Sequence, residues 1–309
     1  MSLFFTYKFA AFIITRNRPD ILASTISIVL NQTFPPECIL IVDNSDDNDT
    51  MHSIAFLKNK KLVYHSVGYN AGPAGGAYWG LKLLFEKGYD WVIWIDDDDP
   101  PKFVDLFEKM FQIVKDNESP ALGMVGSVGE RFDFQTAKIV RLKDKELKKY
   151  LDVDTISGNV FPLIHRRVFE KGILPTKDYF FGFEELGFCL AVKRSGLRIM
   201  ISGELHYELR KVANRLNLKK KKTHHRSADS LWREYYSVRN ITYILLHQEN
   251  KRKAALISVL RNLCKSIFVF RYGLTYGKVA SLMIIQGLWD GIFRRMGMRI
   301  TPLNKLIAS

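Results

Sequence analysis

A chain of 309 residues, 47% hydrophobic and 25% charged, can bury a substantial core and is not composed like a disordered segment. Its three cysteines, Cys38, Cys189 and Cys264, stand far apart with no CxxC spacing, which argues against a disulfide framework or a zinc knuckle and fits a reducing compartment. The net charge of +14 is uneven: from Tyr207 onward there are 21 Lys and Arg against 5 Asp and Glu, whereas residues 1–206 are close to neutral. A body that does chemistry is therefore expected to carry a basic tail that meets something anionic.

The apolar start, Met1 to Ile14, has neither a basic leader nor a small-residue cleavage site, so it reads as the approach to a first core strand and not as a signal peptide. Phe9 to Thr15 is that strand, closed by the polar turn Arg16 to Asp20 and followed by a helix over Ile21 to Asn31. Cys38 to Val42 is a second strand, Met51 to Lys58 a helix and Leu62 to Ser66 a third strand. Gly72 to Gly88 reads as a glycine-rich turn feeding a helix, and Trp91 to Ile95 as another buried strand. This alternation predicts an α/β fold with a doubly wound, mostly parallel sheet, whose ligands bind beyond the carboxyl ends of the strands.

Further on, Leu122 to Val128 is a candidate strand, Lys138 to Tyr150 a solvated helix or loop, and Arg166 to Lys171 a short helix. Glu184 to Ser195 reads as a helix with an acidic start, and Leu197 to Ser202 as a last strand. Beyond Lys219–Lys222, the stretch Lys251 to Ile300 threads apolar residues with Lys and Arg and predicts two or three amphipathic helices. No run is long and apolar enough to span a bilayer.

Five motifs carry chemistry. The first is Trp94-Ile95-Asp96-Asp97-Asp98-Asp99-Pro100, where a buried strand ends in consecutive carboxylates. Such a cluster repels itself unless a cation is present, and hard divalent ions select oxygen ligands. The alternative is a solvated acidic loop. The second, Asp43-Asn44-Ser45-Asp46, offers a carboxylate to base or ribose hydroxyls, or simply an Asx turn. In Gly68-Tyr69-Asn70-Ala71-Gly72-Pro73-Ala74-Gly75-Gly76 the glycines permit close backbone approach, and amides at a helix start favour phosphate, yet a tight structural turn has the same composition. Glu184-Glu185, after Phe180-Phe181-Gly182-Phe183, places two carboxylates in an aromatic setting that could raise one pKa, as a general base requires, or merely starts a helix. His206, just past the last strand, is the fifth.

As an ordered set these motifs resemble the family 2 inverting glycosyltransferases with the GT-A fold. The match runs over about residues 9–245 through Thr15-Arg16-Asn17-Arg18-Pro19, Val42-Asp43-Asn44-Ser45, Asn70-Ala71-Gly72, Asp96–Asp99, Gly158-Asn159 and Gly182-Phe183-Glu184-Glu185. It continues through His206 to Tyr235-Tyr236-Ser237-Val238-Arg239-Asn240 and is similar within the family to the galactofuranosyl- and rhamnosyltransferase-like branch. The resemblance implies a GT-A domain over 1–245 and a basic amphipathic helical tail over 246–309. It further implies that Thr15, Arg16, Asn17, Asp43, Asn70, Asp96 and Asp97 bind the nucleotide donor, and that Asp96 and Asp98, completed by His206, hold Mn²⁺ or Mg²⁺. Glu185 would be the catalytic base, with Glu184 its rival. Two departures are visible: the family pair is commonly Glu-Asp or Asp-Asp, and a further Asp often stands where this chain has Gly187.

The expected reaction is a single displacement with inversion, moving galactofuranose, rhamnose or a similar hexose from a UDP- or dTDP-linked donor to a glycan or polyprenyl-linked acceptor in cell-surface polysaccharide synthesis. The base and the metal site should then flank the sugar. The tail suggests peripheral attachment to an anionic membrane on the cytoplasmic side, or else a homo-oligomer interface or a cover for the sheet. A sugar nucleotidyltransferase is the main rival. A nucleic-acid binder is the other, but the basic residues carry no reading motif, so no nucleic acid is expected as a partner.

Overall fold

The computed structural model describes residues 7–217 and 226–301, so the Lys219–Lys222 run lies outside the described residues. The chain opens β1 (Phe9–Thr15), α1 (Pro19–Leu30), β2 (Cys38–Asp43), α2 (Asp49–Phe56), β3 (Leu62–Ser66), α3 (Gly72–Glu86), β4 (Trp91–Asp96) and α4 (Leu106–Asp116). It continues with β5 (Leu122–Gly126), β6 (Arg131–Asp133), β7 (Lys138–Val140), β8 (Tyr150–Asp152), β9 (Leu163–His165), α5 (Arg166–Glu170), α6 (Glu184–Arg194), β10 (Arg198–Ser202) and α7 (Gly203–Val212). Three long helices close the described chain: α8 (Trp232–Tyr243), α9 (Arg252–Phe268) and α10 (Leu274–Ile292).

Eight strands form one sheet in the order β3-β2-β1-β4-β9-β5-β10-β8. β1 to β4 run parallel, β9 is antiparallel to both β4 and β5, and β10 is parallel to β5 and antiparallel to β8. The expected mostly parallel α/β sheet is therefore present, with β9 inverted in its middle. β1 shows why the chain makes this layer. All seven of its residues are buried, and successive side chains face opposite ways. Ala10, Phe12 and Ile14 pack with Ala77 and Leu81 of α3 and Phe188 of α6, whereas Phe9, Ala11 and Ile13 pack with Leu22 and Ile26 of α1 and Phe107 of α4. The result is a helix–sheet–helix sandwich.

The glycines of α3 serve that packing. A Cβ on Gly76 would lie 2.6 Å from Ile14 and one on Gly80 2.3 Å from Phe12, so the helix reaches the sheet only because both lack a side chain. This favours the close-approach reading of the glycine-rich segment. Its amides are already committed: Gly72 N–H donates to Asn70 Oδ1 at 3.1 Å and Ala74 N–H to Phe180 O at 3.3 Å.

Elements beyond those expected are α4, the β6–β7 hairpin, β8, β9, α7 and α8. Where a solvated helix or loop was expected, residues 138–150 form a short strand, a 3₁₀ turn over Asp144–Glu146 within a connecting segment, and the start of β8. The boundary expected at 245 falls inside a continuous helical run, because α8 passes directly into a π-helical turn at Ile244–Gln248. α10 lies close along α8: Cβ atoms on Gly287 and Gly291 would meet the Tyr235 and Arg239 carbonyl oxygens at 2.7 and 2.6 Å.

Candidate active site

The carboxyl ends of β1, β2 and β4 lie side by side, and their turns are laced together. Asn44 N–H donates to Thr15 O at 2.9 Å, Asn17 N–H to Ser45 Oγ at 2.8 Å, and Asn44 Nδ2 to Gly72 O at 3.1 Å. The polar turns that close these strands therefore meet at one edge of the sheet. Asp43 is buried, with Oδ1 accepting from Ser45 N–H at 2.8 Å and from Ser45 Oγ at 2.5 Å, while Oδ2 accepts from Tyr64 OH at 2.9 Å. Tyr64 has no place among the expected site residues, although strand alternation in β3 puts it beside Ile41 of β2. Arg16 is exposed and paired with Asp46 at 3.0 Å, and Asn70 is spent on its own turn.

The four aspartates are not equivalent. Asp97 is 6% exposed and turns inward, accepting from Thr15 Oγ1 at 2.7 Å and Arg18 Nη1 at 3.2 Å, while its carbonyl accepts from Thr25 Oγ1 at 2.6 Å. It fastens β1, α1 and β4 together. Asp98 is half exposed and pairs with Arg18 at 2.7 Å. Asp99 pairs with Lys102 at 2.8 Å and accepts from Asn159 Nδ2 at 3.4 Å, tying the turn to the segment before β9. Asp96 is the crowded one: burial first, then the charges of Glu185, Asp98 and Asp97, push its pKa up to about 7.

Glu184 and Glu185 begin α6 and share this charge field. Glu184 is 4% exposed, its Oε2 has no partner among the described residues, and burial together with the Glu185 charge holds it well above the usual carboxylate range. Glu185 is half-buried and raised by burial, and its Oε1 accepts from Gly158 N–H at 3.0 Å. A Cβ on Gly158 would lie 3.0 Å from that oxygen and 3.2 Å from the Trp94 ring, so the Gly158-Asn159 motif has a steric reason. Gly187 is equally confined, with Tyr179 2.6 Å from its would-be Cβ, so the Asp common at that position in similar sequences has no room here.

The segment before the Glu pair is held against its own preferences. Phe180 (φ 58°), Gly182 (φ 79°) and Phe183 (φ 64°) all lie in the left-handed half of conformational space, and Phe181 N–H closes a tight turn on Tyr179 O at 2.6 Å. What restrains it comes from α8. Asn240 Nδ2 donates to the carbonyls of Tyr179, Phe181 and Gly182 at 3.0, 3.0 and 2.6 Å, and the fully buried Arg239 donates to Tyr179 O at 2.7 Å and Gly297 O at 2.6 Å. The Tyr-Tyr-Ser-Val-Arg-Asn motif is thus a clamp on the loop that aims Glu184 and Glu185. Asn240→Ala is expected to lower stability by about 1–3 kcal/mol, because buried carbonyls lose their donors. It is also expected to cut kcat about tenfold, some 1.4 kcal/mol of misplacement, with the donor KM little changed. Steady-state kinetics beside a thermal melt check this, and an unaltered kcat in folded variant would refute it.

The structure does not bring His206 to the acidic run. It sits on the buried face of α7, where the charges acting on it are Arg210, Arg141 and Asp144, and burial pushes its pKa down to about 3. The reason is the helix itself: His206 and Arg210 are one turn apart on one face, and Arg210 is fixed to Leu142 O at 2.8 Å and Asp144 at 2.6 Å. Among the described residues no three His, Cys, Asp or Glu side chains gather as a ligand set.

Comparison with known proteins bears on the family and the fold. The family model for Glycosyl transferase family 2 matches residues 10–172. The chain is similar to galactofuranosyltransferase GlfT1 of Mycobacterium tuberculosis, 32% identical over 90 residues, and to GlfT1 of Mycolicibacterium smegmatis, 30% identical over 89 residues. Each match covers 29% of this chain and only 29% of the length of those curated relatives. Among solved structures it resembles the Pyrobaculum calidifontis mannosyltransferase PcManGT, in complex with GDP-Man and Mn²⁺, with a TM-score of 0.53 at 11% identity over 94% of this chain and 89% of that one. It also resembles residues 1–349 of Staphylococcus aureus TarS, with a TM-score of 0.52 at 14% identity over 91% of this chain and 81% of that one. These structural likenesses speak for the fold, the GT-A arrangement. The family model spans more than half of the chain, from β1 past the acidic run to the end of α5, and the chain belongs to glycosyl transferase family 2.

Proposed function

We propose that this chain is a metal-dependent inverting glycosyltransferase that moves a sugar from a nucleoside-diphosphate donor to an acceptor hydroxyl, with Glu185 as the base. The observation that carries the reading is the shared charge field of Asp96 and Glu185 in one crevice at the carboxyl ends of parallel strands. A galactofuranosyl donor with a UDP carrier fits the partial likeness to GlfT1, and dTDP-rhamnose is the alternative sugar nucleotide.

Of the two glutamates, Glu185 fits the base. A base must reach the acceptor hydroxyl, whereas Glu184 is sealed from solvent with one oxygen unpartnered among the described residues, and burial with the Glu185 charge raises its pKa. Glu185 keeps one oxygen on Gly158 N–H, which fixes its direction and leaves the second for the acceptor proton. Asp43 and Tyr64 present a prearranged polar pair for the nucleoside, and Arg18 reaches between Asp97 and Asp98 where donor phosphates would lie.

The donor chemistry fits Mn²⁺ or Mg²⁺: oxygen ligands, like charges crowded together, and a half-exposed Asp98 beside a partly buried Asp96. Asp96 and Asp98 would hold the ion, which when bound neutralises the departing diphosphate. Asp97, committed to Thr15 and Arg18, is left a structural part, and His206 stands with a different set of charges. The acceptor we propose is a glycan or polyprenyl-linked sugar of a surface polysaccharide, met at the inner face of the plasma membrane, to which the basic C-terminal helices attach peripherally. The test is incubation of the chain with nucleotide sugars and Mn²⁺. Release of nucleoside diphosphate supports transfer, release of pyrophosphate would assign the chain to nucleotidyl transfer instead, and no turnover across the donor set would sink the reading.

A further inference from the structure

The helices α9 and α10 turn large apolar side chains to the outside. On α9 the inward stripe is small or polar: Ala255, Ser258, Asn262 and Ser266 are buried, at spacings of three and four. The outward stripe, Leu256, Leu260, Leu263, Ile267 and Phe268, is apolar, with Ile267 72% and Phe268 66% exposed. On α10 both faces are apolar: Gly277, Ala280, Gly287 and Gly291 face inward beside Met283, Ile284 and Leu288, while Leu274, Leu282, Ile285, Trp289 and Phe293 (just past its end) face out. A helix in water reverses the distribution on α9, and a monomeric protein rarely exposes so continuous an apolar face. Close backbone packing through glycine and alanine inside, with large aliphatic and aromatic side chains outside, is how helices pack where the surroundings are themselves apolar.

Charge decides what covers this face. Residues 251–301 hold ten Lys and Arg and a single carboxylate, Asp290, which is 2% exposed and bonded to Tyr235 OH at 2.6 Å. No acidic side chain therefore meets solvent in that stretch. A second copy docked through a two-fold axis would set the same cations against each other, whereas an anionic lipid surface complements them. Among the described residues no helix is long and apolar enough to cross a membrane, so the pair would lie along the interface and not through it.

We infer that α9 and α10 form a monotopic anchor whose outward faces insert among the acyl chains of one leaflet of an anionic bilayer, with Lys253, Arg271 and Lys278 at the headgroups. This deepens the peripheral attachment proposed above, and the two can fail separately. The full chain is floated with phosphatidylglycerol–phosphatidylcholine vesicles at about 0.1 and 0.5 M NaCl, the higher salt screening headgroup attraction. Vesicles with brominated acyl chains report insertion by quenching Trp289, an exposed tryptophan, and Trp289→Phe assigns the signal. The expected result is flotation that survives the higher salt, quenching that vanishes in Trp289→Phe, and a partition at least about tenfold weaker in Leu260→Glu/Ile267→Glu. Turnover of that variant on a water-soluble acceptor should be unchanged, which shows that it folds. Salt-reversible flotation without quenching overturns insertion but leaves charge-driven attachment. Absence of flotation overturns both. A vesicle-free dimer that Leu260→Glu/Ile267→Glu dissociates gives the face to a second copy and overturns the lipid assignment.

Discussion

Glu185→Gln is expected to lower turnover by about 10²–10⁴-fold while leaving the fold and donor binding in place. Gln keeps the length of the side chain and can still accept from Gly158 N–H, so the contact at 3.0 Å survives and only the proton acceptor is lost. Removing a negative charge beside Asp96 and Glu184 also relieves repulsion, so the variant should be no less stable than the parent. Glu184→Gln is the control. Its carboxyl is sealed from solvent, with Oε2 unpartnered among the described residues, so it cannot meet an acceptor and turnover should fall far less. Donor affinity from calorimetry and single-turnover rates from rapid quench separate the two steps. If Glu185→Gln retains the parental rate, the base lies elsewhere.

The second large effect concerns Asp96→Asn. A carboxyl with a folded pKa near 7 and an ordinary value of 3.8 binds more protons folded than unfolded between those limits. Metal-free stability should therefore fall as pH rises from about 4 to about 7, and stay low above that. Asn removes the charged form, so the metal-free variant should gain on the order of 1–2 kcal/mol at pH 8, after discounting for the partial exposure of the group. Mn²⁺ acts in the opposite sense. At a hundredfold excess over Kd a ligand adds about 2.7 kcal/mol, and loss of one anionic oxygen ligand should shrink that gain by at least about 1.4 kcal/mol. Thermal melts at pH 5 and pH 8, with and without MnCl₂, read both. Equal metal-free stability and an undiminished Mn²⁺ gain would together remove Asp96 from the proposed ion site. Activity of the variant should be reduced about 10²-fold or more, since the diphosphate loses its counter-charge.

How much of this was legible beforehand depends on distance along the chain. Strand–helix alternation gives β1 to β4 within a residue or two, because each strand is a short apolar run closed by a polar turn. The meeting of Thr15, Asp43 and Asp97 follows from that topology, since neighbouring parallel strands end at one edge. α4 was equally readable, for Leu106, Phe107, Met110, Phe111, Ile113 and Val114 keep a helical spacing. What no local pattern reveals is whom a side chain meets from far away. Tyr64 on Asp43, Gly158 on Glu185 and Asn240 on the loop at 179–182 each join segments separated by 21 to 61 residues. His206 shows the converse. Order along the chain matched a family pattern, but the helix that begins at Gly203 buries the ring where the charges acting on it are Arg210, Arg141 and Asp144.

The acidic turn also has a bearing on length variation. Asp96 to Asp99 are one letter repeated, yet the turn that closes β4 leaves the first in the field of Glu185, takes the second to Thr15 and the third to Arg18. Losing one codon from the run would leave three aspartates and an almost unchanged composition. Counted from the end of β4, the three would still fill the places of Asp96, Asp97 and Asp98, but Pro100 would move into the place of Asp99 and its ties to Lys102 and Asn159 would be lost. The repeat is redundant as a string but not as a frame, because its length sets where the turn is fastened.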